Sequence, residues 1–124
     1  MDQYFKQHNI SKFANTEMVV KTIIMLTLFI TPFVIMATGV VHSVGLLFGL
    51  YLISGLGMAG IGMGVMHDAN HGSWSRNRQV NRLLGLTMNL IGANAYVWKI
   101  QHNMLHHTYT NIEGADDDIV TPFF

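Results

Sequence analysis

The 124 residues make at most one small domain, and half are hydrophobic while only 11% are charged, against about 25% in soluble domains. Seven basic residues balance seven acidic ones, which argues against nucleic acid as a partner. The chain has no cysteine, so disulfide frameworks, thiolate zinc sites, iron–sulfur clusters and a cysteine nucleophile are excluded together.

In chain order, residues 1–21 are a polar segment with Lys6, Lys12 and Lys21. From Thr22 to Met66, 45 residues carry no Asp, Glu, Lys or Arg. As one helix they would reach about 67 Å, against a bilayer core of about 30 Å. Two crossings use that length, and the break falls at Thr38-Gly39-Val40-Val41-His42-Ser43. The expected spans are residues 22–41 and 44–66. A cleaved signal peptide fits poorly, because the apolar stretch is too long and begins only after 21 polar residues. Lysines precede the hairpin, Arg76, Arg78, Arg82 and Lys99 follow it, and its turn carries no charge. Both termini are therefore expected in the cytoplasm. Gly60-x-x-x-Gly64 in the glycine-rich second span predicts close helix packing, with the lining of a narrow substrate tunnel as the alternative. Leu83 to Trp98, uncharged for 16 residues, predicts an interfacial or re-entrant helix of about 24 Å.

Five of the seven histidines stand in two clusters in residues 67–124. The first is His67-Asp68-Ala69-Asn70-His71-Gly72, at the end of the second span; the second is His102-Asn103-Met104-Leu105-His106-His107. His67 and His71, like His102 and His106, are four residues apart, so each pair shares one face of a helix. His107 points in an adjacent direction. Two such pairs in an apolar chain predict metal ligation by His67, His71, His102, His106 and His107. His8 and His42 read as interfacial polar residues. A metalloprotease needs glutamate directly after its first histidine, and Asp68 stands there. Imidazole-held iron with open coordination positions suits oxygen chemistry instead. Asp68, Asn70, Asp116, Asp117 and Asp118 are candidates for orienting the ligating imidazoles, since a carboxylate that accepts the far N–H fixes the tautomer; the run from Asp116 to Asp118 reads equally as a solvated acidic loop. Trp98 reads either as a surface for an acyl chain or as an interface anchor.

The first cluster, and the run from Trp98 to Asn111 around the second, resemble the first two histidine boxes of the membrane fatty acid desaturases, H-x(3,4)-H and H-x(2,3)-H-H. Thr110-Asn111-Ile112-Glu113-Gly114-Ala115-Asp116-Asp117-Asp118-Ile119 is similar to the bacterial acyl-lipid or linoleoyl-CoA branch. The resemblance implies an all-α integral membrane protein, a two-span hairpin followed by cytoplasmic or interfacial helices that carry the boxes, in a bacterial inner membrane. It implies two non-haem irons, dioxygen as co-substrate, and a cis double bond introduced into a fatty acyl lipid or acyl-CoA. Electrons would come from a separate ferredoxin or cytochrome b5-type donor, because no His-Pro-Gly-Gly haem motif occurs. The family pattern continues into a third box after another pair of spans. None occurs in these 124 residues, so the chain is expected to be the amino-terminal part of such an enzyme and inactive alone. The alternatives are a related hydroxylase or ketolase, and a non-catalytic metal-binding hairpin.

Overall fold

The computed structural model describes residues 2–119. Among them every regular element is helical. After a short helix α1 (Asp2–Gln7), the chain enters α2 (Thr16–Ala37). Asn15 caps it, its side-chain oxygen accepting from the Met18 N–H at 2.9 Å, and Glu17 complements the positive helix end. This cap starts the helix six residues before Thr22, inside the segment expected to be polar lead-in. At the other end Gly39 takes φ +69° and its N–H turns back to the Met36 carbonyl, so α2 stops at Ala37 and does not reach Val41.

Ser43 opens α3 (Val44–Asn70), which is α-helical to Gly60, π-helical over Ile61–Val65, and α-helical again over Met66–Asn70. Helices α2 and α3 have 22 and 27 residues and are long and apolar enough to cross a membrane. Their outward faces are apolar: Ile23, Phe33, Phe48, Tyr51 and Leu56 are all exposed.

The two long helices meet where α3 is small. A Cβ on Gly57 would overlap the backbone nitrogen of Phe29 and stand 2.8 Å from the Leu28 carbonyl carbon and 2.9 Å from the Met25 carbonyl oxygen. A Cβ on Gly60 would strike the Met25 side chain, and the Ser54 hydroxyl donates to the Phe29 carbonyl at 3.3 Å. The close face is therefore Ser54, Gly57 and Gly60, and not the expected Gly60–Gly64 pair. The π-helical turn begins at Ile61 and carries Gly64 off the repeat, where its nearest neighbour is the end of the Lys21 side chain.

Beyond α3, Asn77 caps α4 (Arg78–Gly85), which leads into the single turn α5 (Thr87–Leu90). The stretch from Leu83 to Trp98 is not one helix. Gly92 adopts φ +88°, and Asn94 starts a new helix by accepting from the N–H groups of Tyr96 and Val97. That helix, α6 (residues 95–109), is π-helical over Lys99–His106. A 3-10 turn at Asp117–Ile119 follows. Met66, Met88 and Ala95 form a small core with Trp98 against it, directly under the histidines. The Asn70 amide donates to the Gly85 carbonyl at 3.5 Å, and a Cβ on Gly85 would strike Asn70. The loop after α3 is strapped back to α2: Trp74 donates through Nε1 to Thr22 Oγ1 at 3.3 Å, and its carbonyl accepts from the Ala14 N–H at 2.9 Å.

Candidate metal centre

His67 lies in the last turn of α3 and His71 follows at its C-cap; their ring centroids are 4.6 Å apart. On α6, His102 and His106 stack at 5.0 Å with 13° between planes. The two clusters face each other. His102 lies 5.4 Å from His67 and 5.3 Å from His71, and His107 lies 5.0 Å from His71. All five imidazoles thus form one contiguous group.

His107 joins it because α6 is π-helical. On an ordinary helix of 3.6 residues per turn, the residue five places on points about 140° away. With i→i+5 bonding it returns over the first, and His107 comes within 5.0 Å of His102 and 5.4 Å of His106.

One donor atom from each of His67, His71 and His102 can be chosen so that all three lie within 4.8 Å of one another. Two nitrogens each about 2.1 Å from one ion stand about 3 Å apart at a right angle and about 4.2 Å apart across it. The trio is therefore near the spacing that a single ion requires. The orientation of three rings is fixed from behind. Asp68 Oδ1 stands 3.1 Å from His67 Nδ1, Asp118 Oδ2 stands 2.5 Å from His102 Nδ1, and both Asp116 oxygens stand 3.0 Å from His106 Nδ1. With Nδ1 so engaged, each imidazole presents Nε2 as its free lone pair. His102, His106 and Asp118 also lie close enough to surround an ion. At 2.5 Å, however, Asp118 is nearer His102 than two adjacent ligands of one metal stand, which makes it a hydrogen-bond acceptor for that ring.

Asp116 is fully buried. Burial pushes its carboxyl up. The hydrogen bond from His106, those from the backbone N–H groups of Asn111 and Asp118, and the His106 charge outweigh burial and hold it below the ordinary aspartate value. His71 is pushed below the ordinary histidine value, first by burial and then by the charges of His67, His102 and His107, with Asp68 opposing. Both shifts favour the forms that metal binding needs, a carboxylate behind and a neutral imidazole in front.

Asn70 does not reach an imidazole. Its amide turns to Gly85 and to the Met66 sulfur, so it braces α3 against α4. The side chain of Asp117 lies outside the described residues. Trp98 stacks on His102 at 4.4 Å and 22°, and meets the edges of His67 and His71 at 5.7 and 5.6 Å. His8 and His42 stand apart: His8 Nδ1 is 2.9 Å from the Tyr4 carbonyl oxygen, and His42 is in the turn before α3. Sequence reasoning passed over Asn103, which donates to the Asn70 carbonyl at 3.2 Å and ties the two clusters through the backbone. Its position inside the second cluster was the available signal.

An imidazole-rich donor set with carboxylates behind it fits a borderline transition metal such as iron. An apolar cleft of about 660 Å³ opens between α2, α3 and the turn after α5, lined by Phe29, Phe33, Tyr51, Met58, Leu90 and Ile91 among others.

Residues 42–124 match the family model described as fatty acid desaturase. The chain is 39% identical over 120 residues to the sn-1 linoleoyl-lipid 6-desaturase of Synechocystis sp., covering 96% of this chain and 33% of that protein. The enzyme of the same name from Arthrospira platensis is 39% identical over 119 residues, with 96% and 32% covered. The acyl-lipid (8-3)-desaturase of Physcomitrium patens is 30% identical over 120 residues, with 96% and 25% covered. The chain thus spans a third or less of the length of these relatives. No solved structure matches it.

Proposed function

The chain belongs to the fatty acid desaturase family, and from that premise we propose that it supplies the first two histidine clusters of a membrane di-iron enzyme that introduces a cis double bond into a fatty acyl lipid. The observation that carries this reading is the convergence of five imidazoles from two helices, three of them backed by carboxylates. His67, His71, His102, His106 and His107 would hold part of the iron site, and a further histidine cluster would complete it. When bound, the irons supply oxygen chemistry: dioxygen, two electrons and two protons become two waters as two hydrogens leave neighbouring methylenes and a double bond forms.

This chain's residues bind and orient. Asp68, Asp116 and Asp118 hold Nδ1 protons on their imidazoles, which points Nε2 at the metal. Helices α2 and α3 cross the bilayer with both termini in the cytoplasm, and α6 lies at that face. Met58, in the lining of the apolar cleft, is nine residues before His67, about 14 Å along the helix. An acyl chain in the cleft would run towards the imidazoles with Trp98 beside them. A separate ferredoxin or cytochrome b5-type protein would deliver the electrons.

Cobalt(II) is a direct probe. The purified chain in detergent is expected to develop visible d–d absorption with cobalt, lost in His102→Ala. A chain that stays colourless at millimolar cobalt would refute the metal reading. In a protein of the relatives' full length, new double bonds in host lipids are expected to disappear with the same substitution, and hydroxylated products in their place would indicate the related hydroxylase chemistry.

A further inference from the structure

The described residues contain two π-helical stretches, and each belongs to a histidine cluster: Ile61–Val65 ends just before His67, and Lys99–His106 contains His102 and His106. Such turns account for well under 1% of residues in ordinary domains and gather at functional positions. The one in α3 changes the helical phase between two faces with different partners.

Two buried sets share α3: Ser54, Gly57, Ile61, Val65 and Ala69 form one stripe at spacings of three or four, while Met66 and Asn70 are buried against Met88 and Gly85. With Gly57 as origin and about 100° per residue, an uninterrupted α-helix would carry Ile61 to about 40°, Val65 to about 80° and Ala69 to about 120°. The stripe would wind off the face that packs on α2. His71 would meanwhile lie about 40° from the Gly57 direction, on the same side as α2. A π-helical turn accommodates one extra residue and takes out about 100°. Val65 then returns to about −20° and Ala69 to about 20°, and His67 and His71 move to about 180° and −140°. The stripe stays together and both imidazoles face away from α2. The Met66 N–H bonds to the Ile61 carbonyl, the i→i+5 contact of such a turn. Met63, within it, is 77% exposed, so the extra residue packs against little.

We propose that the π-helical turn Ile61–Val65 is a positioning element for the metal centre. It lets α3 keep its small face on α2 while turning His67 and His71 towards Trp98, His102 and His107. This rests on the metal reading for its purpose and on geometry for its content, and the two are tested separately.

Because the chain has no cysteine, its helical phase can be read by disulfide formation in the metal-free protein. Single cysteines at positions 63 to 71, each paired with His102→Cys, whose ring faces both His67 and His71, are oxidised in detergent and the cross-linking rates compared. The π-helical register is expected to give maxima at 67 and 71. Maxima at 66 and 70, the positions that an uninterrupted α-helix would turn the same way, would overturn the proposal whether or not metal binds. The consequence for the site is read with cobalt. Deletion of Met63 is expected to lower cobalt affinity at least tenfold at unchanged helical content. Met63→Ala, which keeps the extra residue, and deletion of Leu46, which shortens α3 ahead of both faces, retain the parent spectrum. Parent-like cobalt affinity in a folded Met63 deletion would overturn the positioning role, while failure of the unaltered chain to bind cobalt would overturn the metal reading alone.

Discussion

Replacing Gly57 by alanine tests whether α2 and α3 touch as described. A methyl there overlaps the Phe29 nitrogen and comes within 2.9 Å of two further backbone atoms. None of these is the end of a flexible side chain, so the helices must part by about 1 Å to restore ordinary contact. Overpacking of this kind costs about 1–3 kcal/mol. Parting also stretches the Ser54–Phe29 hydrogen bond, already 3.3 Å long, beyond useful range, for about 0.5–1.5 kcal/mol more. The better helix propensity of alanine returns about 0.8–1 kcal/mol, leaving a net loss of roughly 0.5–3.5 kcal/mol. Gly55 is the control, since a Cβ there meets open space and Gly55→Ala should be neutral or stabilising. Gly60→Ala falls between, because the obstacle is the movable Met25 side chain. Unfolding of the purified chain in mixed micelles by increasing mole fraction of dodecyl sulfate, followed by helical circular dichroism, ranks the three. Equal midpoints for Gly57→Ala and Gly55→Ala would show that the contact face has been misassigned.

Asp116→Asn keeps the shape but removes the negative acceptor behind His106, and cobalt affinity is expected to fall about 10–100-fold in a spectrophotometric titration; an unchanged affinity would mean that the carboxylate does not tune His106. His102→Ala should impair cobalt binding more than His107→Ala, because His102 belongs to the trio with His67 and His71; the same titration decides the order. Burial, and then the charges of the neighbouring imidazoles, hold His71 below the ordinary histidine value, so as pH falls below that value the unfolded chain binds the extra proton more readily. The His71 contribution to the stability of the metal-free protein is therefore expected to be present in full above the ordinary histidine value of about 6.5 and to be lost as pH falls below it. His71→Asn should flatten that part of the micelle-unfolding profile, and an unaltered slope would count against the assignment.

The histidine pattern was legible because spacing of four reports helical adjacency without knowledge of what packs around it. The acidic run after the second cluster reads equally as a solvated loop from sequence alone, and it is the fold that brings Asp118 to His102 and Asp116 to His106. What sequence missed depends on phase and on backbone conformation. Gly60 and Gly64 look like a packing pair until an inserted residue turns one of them away, and nothing in Ile61-Gly62-Met63-Gly64-Val65 announces that the turn there is wide. The uncharged run from Leu83 to Trp98 suggests a single helix on hydropathy alone. Gly92 and Asn94 are the breaking signals within it, and they outweigh composition because one takes positive φ and the other caps a new start. Asn70 shows that adjacency in sequence to two histidines does not imply contact with either. On a helix end its side chain points to the side from which α4 approaches.

Every imidazole of the cluster, and every described carboxylate behind them, lies between His67 and Asp118. This part of the site is therefore local in the chain, although its two halves are on different helices. At ribosomal speeds of about 5–20 residues per second, that interval is synthesised in about 3–10 s. Short loop closures are fast on this scale, so docking of α6 on the end of α3 need not wait for distant parts of a longer polypeptide. A metal arriving during synthesis would meet an ordered set of five nitrogens and not an unfolded chain of scattered histidines, which shortens the time in which those side chains stand open to a wrong ion or to an off-pathway partner.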